Sequence, residues 1–186
     1  MKHPSSRAFF AYWDSQRGTA PAPERSVIEP SAVRELLGDI FVLSCDAAAG
    51  YPFRVAGTRL SALLGRDLKG SSLTALFAAD SRRECEDILG VVADETLPLV
   101  AGLTGAFGAG PVVHLELLLL PFAPRVHTPL SMTGSLTSLS PRGSGELGPL
   151  RLTTWRTLGR QPRRLRPRVL RKWEVARGLM VYEGLR

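Results

Sequence analysis

The histidines and cysteines of this chain, which are frequent metal ligands and catalytic groups, are few and scattered. They are three histidines and two cysteines, spread along 186 residues: His3, Cys45, Cys85, His114 and His127. None of them stands at the spacing of a metal site. The glycine-rich stretch 105–110 resembles a phosphate loop, but Pro111 and a β-branched run follow it where such a loop needs a helix. We therefore predict no catalytic site, no metal site and two reduced, structural cysteines.

Two charged residues interrupt apolar strand patterns, and they are the polar positions with the clearest chemical meaning. Arg54 lies in YPFRVA and Glu116 in VVHLELLLL. A buried charge is rarely left unpaired, so each is interpreted either as a structural or solvated charge or as a polar contact in a small-molecule cavity. On the second interpretation the ligand-cavity candidates are Phe53, Arg54, Thr58 and Glu116.

The basic charge of the chain is concentrated near its C-terminus. The net charge is +7, yet residues 151–177 hold ten Arg or Lys and one Glu, whereas residues 1–150 carry a charge of −2. Such a segment binds nucleic acid or anionic lipid by electrostatic attraction. The polyanion-binding candidates are Arg163, Arg164, Arg166 and Arg168. A solvated linker and a partner-docking arm are the alternatives, since no helix-turn-helix accompanies the segment.

Apolar periodicity predicts the elements that position these residues. A helix over 5–17 presents an aromatic stripe, including Trp13, that docks on a sheet. Thr58 is predicted to cap a short helix, and Asp80 or Ser81 to cap a longer one that extends to residue 95. Five strands are predicted, at 39–45, 51–56, 97–104, 111–120 and 129–139. The last alternates apolar and polar residues, which predicts one polar face.

Gly57 marks the junction between a strand and a helix. At such a junction a glycine provides either positive φ or close approach of two backbones. We therefore expect Gly57→Val to destabilise the protein by roughly 1–3 kcal/mol.

The segment FRVAGTRLSALLGRDLKG at 53–70 resembles the core of a family of short bacterial PAS-fold proteins formerly classed as a domain of unknown function. The resemblance extends to YWDSQRGTAPAPERSVIEP upstream and to LELLLLPF downstream. It implies an α+β fold with a PAS-like five-stranded antiparallel sheet and helices over one face. Its expected organisation is an N-terminal helical extension at 1–38, a PAS-like domain at 39–140, and a linker with an Arg-rich arm at 141–186.

The role implied by the resemblance is a non-enzymatic, cytoplasmic regulatory or signalling module that senses a small ligand or docks a protein partner. Some PAS domains hold haem or flavin, but His114 lies in a strand and Cys85 lies in RRECEDIL, and neither fits those patterns. No cofactor is therefore predicted. A homodimer is left open, and no apolar run is long enough for a membrane span. The alternative function is nucleic-acid binding through the Arg-rich arm.

Overall fold

The computed structural model describes residues 1–125, 128–141 and 146–159, together with the backbone of two strands at 171–176 and 179–183. Its α-helices are α1 (Pro4–Arg17), α2 (Thr58–Leu64) and α3 (Ala79–Glu95). Its strands are β1 (Ile40–Ser44), β2 (Phe53–Ala56), β3 (Leu99–Ala106), β4 (Val112–Pro121), β5 (Ser131–Ser138), β6 (Arg151–Thr157), β7 (Arg171–Ala176) and β8 (Leu179–Glu183). Short 3₁₀ helices lie at Arg25–Val27, Pro30–Leu36 and Thr74–Leu76. None of the described helices has the length and hydrophobicity that a membrane span requires.

Strands β1 to β6 form one antiparallel sheet in the order β2-β1-β5-β4-β3-β6. The five predicted strands are all present, and the α+β class is confirmed. The sheet has a sixth strand, β6, which pairs with β3 and comes from the segment predicted to be linker and arm. The sheet therefore continues past the boundary predicted at residue 140. Strands β7 and β8 pair with each other in a separate two-stranded sheet.

Helices α2 and α3 cover one face of the sheet, which we call the inner face. Alternate residues of β4 point to it, and Leu115, Leu117 and Leu119 lie in one buried cluster with side chains of both helices, including Leu60 and Leu89. Each of these five leucines is at most 1% exposed. This apolar layer is the main core, because burial of such side chains is the dominant favourable term in folding.

Helix α1 covers the opposite face, which we call the outer face. Phe9 and Trp13 are buried against Leu118 and Leu120, the residues of β4 that point away from the main core. The Trp13 indole N–H donates a hydrogen bond of 2.9 Å to the carbonyl oxygen of Pro121. The predicted docking of the aromatic stripe on the sheet is therefore confirmed, and helices lie on both faces.

Two predicted helix caps are wrong, and for the same reason. Helix α2 begins after Gly57 and not at a capping Thr58, and α3 begins after Ala78 and not at Asp80 or Ser81. In each case the N–H of the residue before the helix is bonded to a distant backbone. Gly57 donates to the Ile40 carbonyl and Ala78 donates to the Leu150 carbonyl, both at 2.9 Å. Pairing with another segment fixes the start of each helix more strongly than a capping side chain does.

Candidate functional site

Glu116 is a buried charge in the middle of the outer face. It lies on β4 on the side of Leu118, and it is only 4% exposed. Its carboxylate accepts hydrogen bonds from the backbone N–H groups of Lys2, at 2.5 Å, and His3, at 3.1 Å. No cationic side chain forms an ion pair with it among the described residues. Glu116 with these two N–H groups, which we call the N-terminal clasp, fastens the start of α1 to the sheet.

Three buried hydroxyl groups lie on the elements that enclose the clasp. Ser6 belongs to the buried stripe of α1, whereas Ser135 and Thr137 lie on β5, with Thr137 directly opposite Glu116. All three are at most 4% exposed, and none of their hydroxyls has a hydrogen-bond partner within the described protein. The face of the fifth strand that was predicted to be polar is thus buried beneath α1. It is buried because the apolar residue Phe9 of that helix packs against the same face of the sheet.

The electrostatics of the clasp suit the end of a helix. The first turn of α1 contains no acidic residue, and its N-cap is His3, whose Nδ1 accepts a hydrogen bond from the Ser5 N–H at 3.2 Å. A negative charge near a helix N-terminus is stabilising, because the unpaired N–H groups there carry partial positive charge. Glu116 supplies that charge from a distant part of the chain.

Phe53 and Thr58 differ in their surroundings although they are close in sequence. Phe53 is 2% exposed and belongs to the main core, where its ring meets that of Phe41 edge to face at 5.5 Å. Thr58 is exposed at the start of α2. The first is therefore a core side chain, and the second is a surface side chain.

Arg54 and Glu116 are far apart. Arg54 is exposed on β2. The register between β1 and β2 shifts opposite it, so that no residue of β1 is its pairing partner in the sheet. Strands β1 and β5 separate β2 from β4, which places the two strands roughly 14 Å apart. The structure does not bring the four predicted cavity residues together, and their contact with a ligand stays a prediction.

The cysteines have the environment of structural residues. Burial raises the pKa of Cys85 to about 12 and that of Cys45 to about 11. A thiol with such a pKa is protonated at neutral pH and is a poor nucleophile. Within the described residues, no group of three or more His, Cys, Asp and Glu side chains is placed to hold a metal ion. His114 is exposed on β4, and His127 lies outside the described residues.

The polyanion-binding candidates Arg163, Arg164, Arg166 and Arg168 lie outside the described residues. The described start of the basic segment is β6, which packs beside α3. Arg151 forms an ion pair with Asp80, and the indole N–H of Trp155 donates to Glu84 at 3.2 Å. Trp155 is nevertheless 43% exposed.

Comparison with known families identifies the fold. The sequence profile of the PAS domain family matches residues 1–137, which run from the N-terminal clasp to strand β5. The chain belongs to the PAS domain family. The resemblance carried by residues 53–70 is thereby confirmed, and the helix α1 lies inside the matched region. As a PAS domain, the protein is a sensory or regulatory module of a kind that is generally non-enzymatic.

The solved structures that are similar to this PAS domain include PAS domains and light-oxygen-voltage domains. A light-oxygen-voltage domain studied with a flavin analogue has a TM-score of 0.47 at 10% identity, over 60% of this chain and 84% of its own. The light-oxygen-voltage protein of Rhodobacter sphaeroides scores 0.45 at 15% identity, over 78% and 73%. The PAS domain of Bordetella pertussis BvgS scores 0.43 at 14% identity, over 73% and 89%. No curated protein matches the chain.

Sequence reasoning found the buried charge of this PAS domain but missed the groups around it. A signal was present for Ser6, because it precedes Phe9 and Trp13 at helical spacing and therefore belongs to the same buried stripe. Ser135 and Thr137 alternate with apolar residues, a pattern that also fits a solvated face. Nothing in the sequence pairs Glu116 with the N–H groups of Lys2 and His3, because more than 110 residues separate them.

We expect Glu116→Gln to destabilise the protein by about 1–3 kcal/mol, because the amide replaces one acceptor with a donor that faces an N–H group. The loss is expected first at the N-terminus of this PAS domain. Hydrogen exchange measured by mass spectrometry is the test, and protection of residues 2–9 is expected to fall more than that of α3.

The matched control for this prediction is Glu86→Gln, which removes an exposed carboxylate from α3. It is expected to change the free energy of unfolding by no more than about 0.5 kcal/mol. Equal loss of protection in both variants, or none at the N-terminus of Glu116→Gln, contradicts the role of the clasp.

Proposed function

We propose that this PAS domain is a cytoplasmic, non-enzymatic regulatory module that docks a protein partner along strand β6. The observation that carries the proposal is the exposure of this strand. It ends the described six-stranded sheet, and five of its seven residues are exposed, including Trp155. An extended peptide readily adds to the edge of such a sheet through main-chain hydrogen bonds.

Apolar side chains fill the space between the helices and the inner face. This packing argues against small-ligand sensing in that space and favours the docking of a protein partner elsewhere. The side chains in this layer are large, and Phe41, Phe77 and Ile88 are each at most 2% exposed. The polar residues that the sequence assigned to a cavity are not assembled there. Of the two predicted roles, small-ligand sensing within this layer therefore has less support than the docking of a protein partner.

The charge of the surrounding segment indicates the chemistry of the partner. Arg156 is exposed on β6, and residues 151–177 carry ten basic residues against one acidic residue. Complementary charge speeds association and selects the partner. The partner that fits is an extended acidic segment of another protein.

Photocrosslinking tests this proposal. The photoreactive residue p-benzoylphenylalanine replaces Trp155 in one version of the full chain and Val27 in another, since these side chains are 43% and 41% exposed. In cells of the source organism, position 155 is expected to give an adduct of one discrete mass that Arg156→Glu weakens at least about tenfold.

Several results of the crosslinking contradict the proposal. They are no adduct at position 155, an equal adduct at position 27, or an adduct with the mass of two copies of this chain. A native mass spectrum of freshly purified protein provides a further check. A small molecule retained in the folded protein, together with no adduct at position 155, favours sensing over docking.

A second candidate function is polyanion binding by the Arg-rich arm, which the charge of residues 151–177 favours. If it is correct, affinity for DNA and RNA falls steeply with salt, because several phosphate contacts release counterions together. The affinity is also expected to be insensitive to sequence.

The matching variant of the full chain replaces four arginines with glutamine: Arg163, Arg164, Arg166 and Arg168. It is expected to lose most of the affinity measured by fluorescence anisotropy over a salt series, while its melting temperature is unchanged. This candidate function is contradicted if the variant retains its affinity for DNA and RNA, or if the unchanged protein selects one nucleic-acid sequence at moderate salt.

A further inference from the structure

A cleft on the surface of the domain lies between α2 and residues 146–149. Its volume is about 370 Å3, within the range of roughly 300–1,000 Å3 in which small-molecule ligands are bound. Its apolar lining consists mainly of Leu64, Leu76 and Leu147, and each of these side chains is at most 7% exposed. Because they belong to the main core, they form a fixed apolar floor.

The wall of the cleft at 146–149 is held to the body by backbone hydrogen bonds on both sides. The Gly108 N–H donates to the Glu146 carbonyl at 3.1 Å, and the Gly148 N–H donates to the Ala106 carbonyl at 2.8 Å. The Leu150 N–H donates to the Leu76 carbonyl at 2.8 Å. The wall is therefore preorganised, which lowers the entropic cost of binding a ligand.

Two opposite charges line this cleft. Arg66 follows the end of α2, and Glu146 lies on the facing wall, where its Cγ is 3.6 Å from the position that a Cβ on Gly65 would occupy. Both side chains are exposed, and neither forms an ion pair within the described residues. A guanidinium binds a carboxylate strongly, and a carboxylate binds an ammonium group.

We propose that this cleft binds a free α-amino acid with an aliphatic side chain. Arg66 holds the ligand carboxylate, Glu146 holds its ammonium group, and the side chain lies on the leucine floor. The combination selects against an internal peptide segment, which carries neither terminal charge. This site is separate from β6 and does not depend on the docking proposal.

Nuclear magnetic resonance titration of the full chain with L-leucine, L-isoleucine and L-valine tests the proposal. Saturable shifts are expected at the backbone amides of Gly65, Arg66, Leu147 and Gly148. Two analogues of leucine remove one contact each: 4-methylpentanoate lacks the ammonium group, and 3-methylbutylamine lacks the carboxylate. Each is expected to bind about tenfold or more weakly, because it loses a charge-assisted hydrogen bond.

The variants Arg66→Gln and Glu146→Gln are expected to weaken leucine binding by a similar factor. Both side chains are exposed, so the spectra away from the cleft are expected to be unchanged. Arg83→Gln and Glu86→Gln, on the exposed surface of α3, are the controls and are expected to bind leucine normally. The proposal is overturned if none of the three amino acids gives saturable shifts at the cleft, if the analogues bind as tightly as leucine, or if the cleft variants match the controls.

Discussion

Replacing Gly57 with alanine is expected to destabilise the protein by about 2–3 kcal/mol, within the range expected for valine, although the change adds one methyl group. The added Cβ would lie 2.2 Å from the carbonyl oxygen of Leu37 and 2.3 Å from that of Gly38. These are backbone atoms, so they cannot move away by rotation of a side chain. The φ angle of Gly57 is −70°, which alanine adopts freely. The expected loss is therefore due to close packing of two backbones, and urea unfolding measures it.

Gly90→Ala is the matched control for this prediction. Gly90 lies inside α3, and a Cβ there would meet nothing within 4 Å. Alanine is a better helix residue than glycine, so this change is expected to stabilise the protein by roughly 0.5–1 kcal/mol. If the two substitutions change the unfolding midpoint in the same direction, the interpretation of Gly57 fails.

Trp13→Ala is expected to destabilise the protein by about 3–5 kcal/mol, the usual range for removing a large aromatic side chain from a core. Trp13 is fully buried, and it also donates a hydrogen bond to the Pro121 carbonyl. Its loss leaves a cavity beneath α1 and removes the hydrogen bond that the Pro121 carbonyl accepts from it. Thermal and urea unfolding are the measurements.

Trp155→Ala is the control, since it removes the same side chain from an exposed position on β6. It is expected to change the free energy of unfolding by no more than about 1 kcal/mol, because only a partly exposed bond to Glu84 is lost. A Trp13 variant as stable as the Trp155 variant contradicts the assignment of α1 to the core of the fold.

The sequence predicted elements whose pattern is local. Helix α3 and strand β4 lie within two residues of their predicted bounds, because a 3.6-residue period and a continuous apolar run are visible in a short window. The two helix starts were mispredicted, since Gly57 and Ala78 are fixed by bonds to segments far away in sequence. Local capping preference is weak when such pairing competes with it.

In the candidate site, too, the sequence predicts what depends on a local pattern and not what depends on distant residues. Glu116 was recognisable because a charge within an apolar strand requires a partner. Its partners are N–H groups, which every residue has, so no side-chain pattern identifies them. Arg54 was singled out on the same ground, but it is exposed on β2, where the register between β1 and β2 shifts opposite it.

The sequence of residues 151–158 fits either a strand or a short helix, and pairing with β3 makes it strand β6. Its sequence alternates weakly, because it lies at the end of the sheet and most of its side chains are exposed. Its pairing with β3 depends on a partner about 50 residues earlier, as the Thr153 bond to the Gly102 carbonyl illustrates. An edge strand of this kind has few buried apolar residues, so its sequence lacks the apolar pattern that predicts a strand.

The attachment of α1 to strand β4 also determines when the protein is able to finish folding during synthesis. Helix α1 leaves the ribosome before strand β4, since Glu116 and Pro121, which bind it, follow 114 and 108 residues after their respective partners. A 14-residue helix is marginally stable on its own, and contacts so distant in sequence form slowly. The apolar stripe of α1 is thus expected to be exposed throughout most of translation. We expect ribosome-bound chains to bind chaperones at this stripe until the outer face of the sheet is complete.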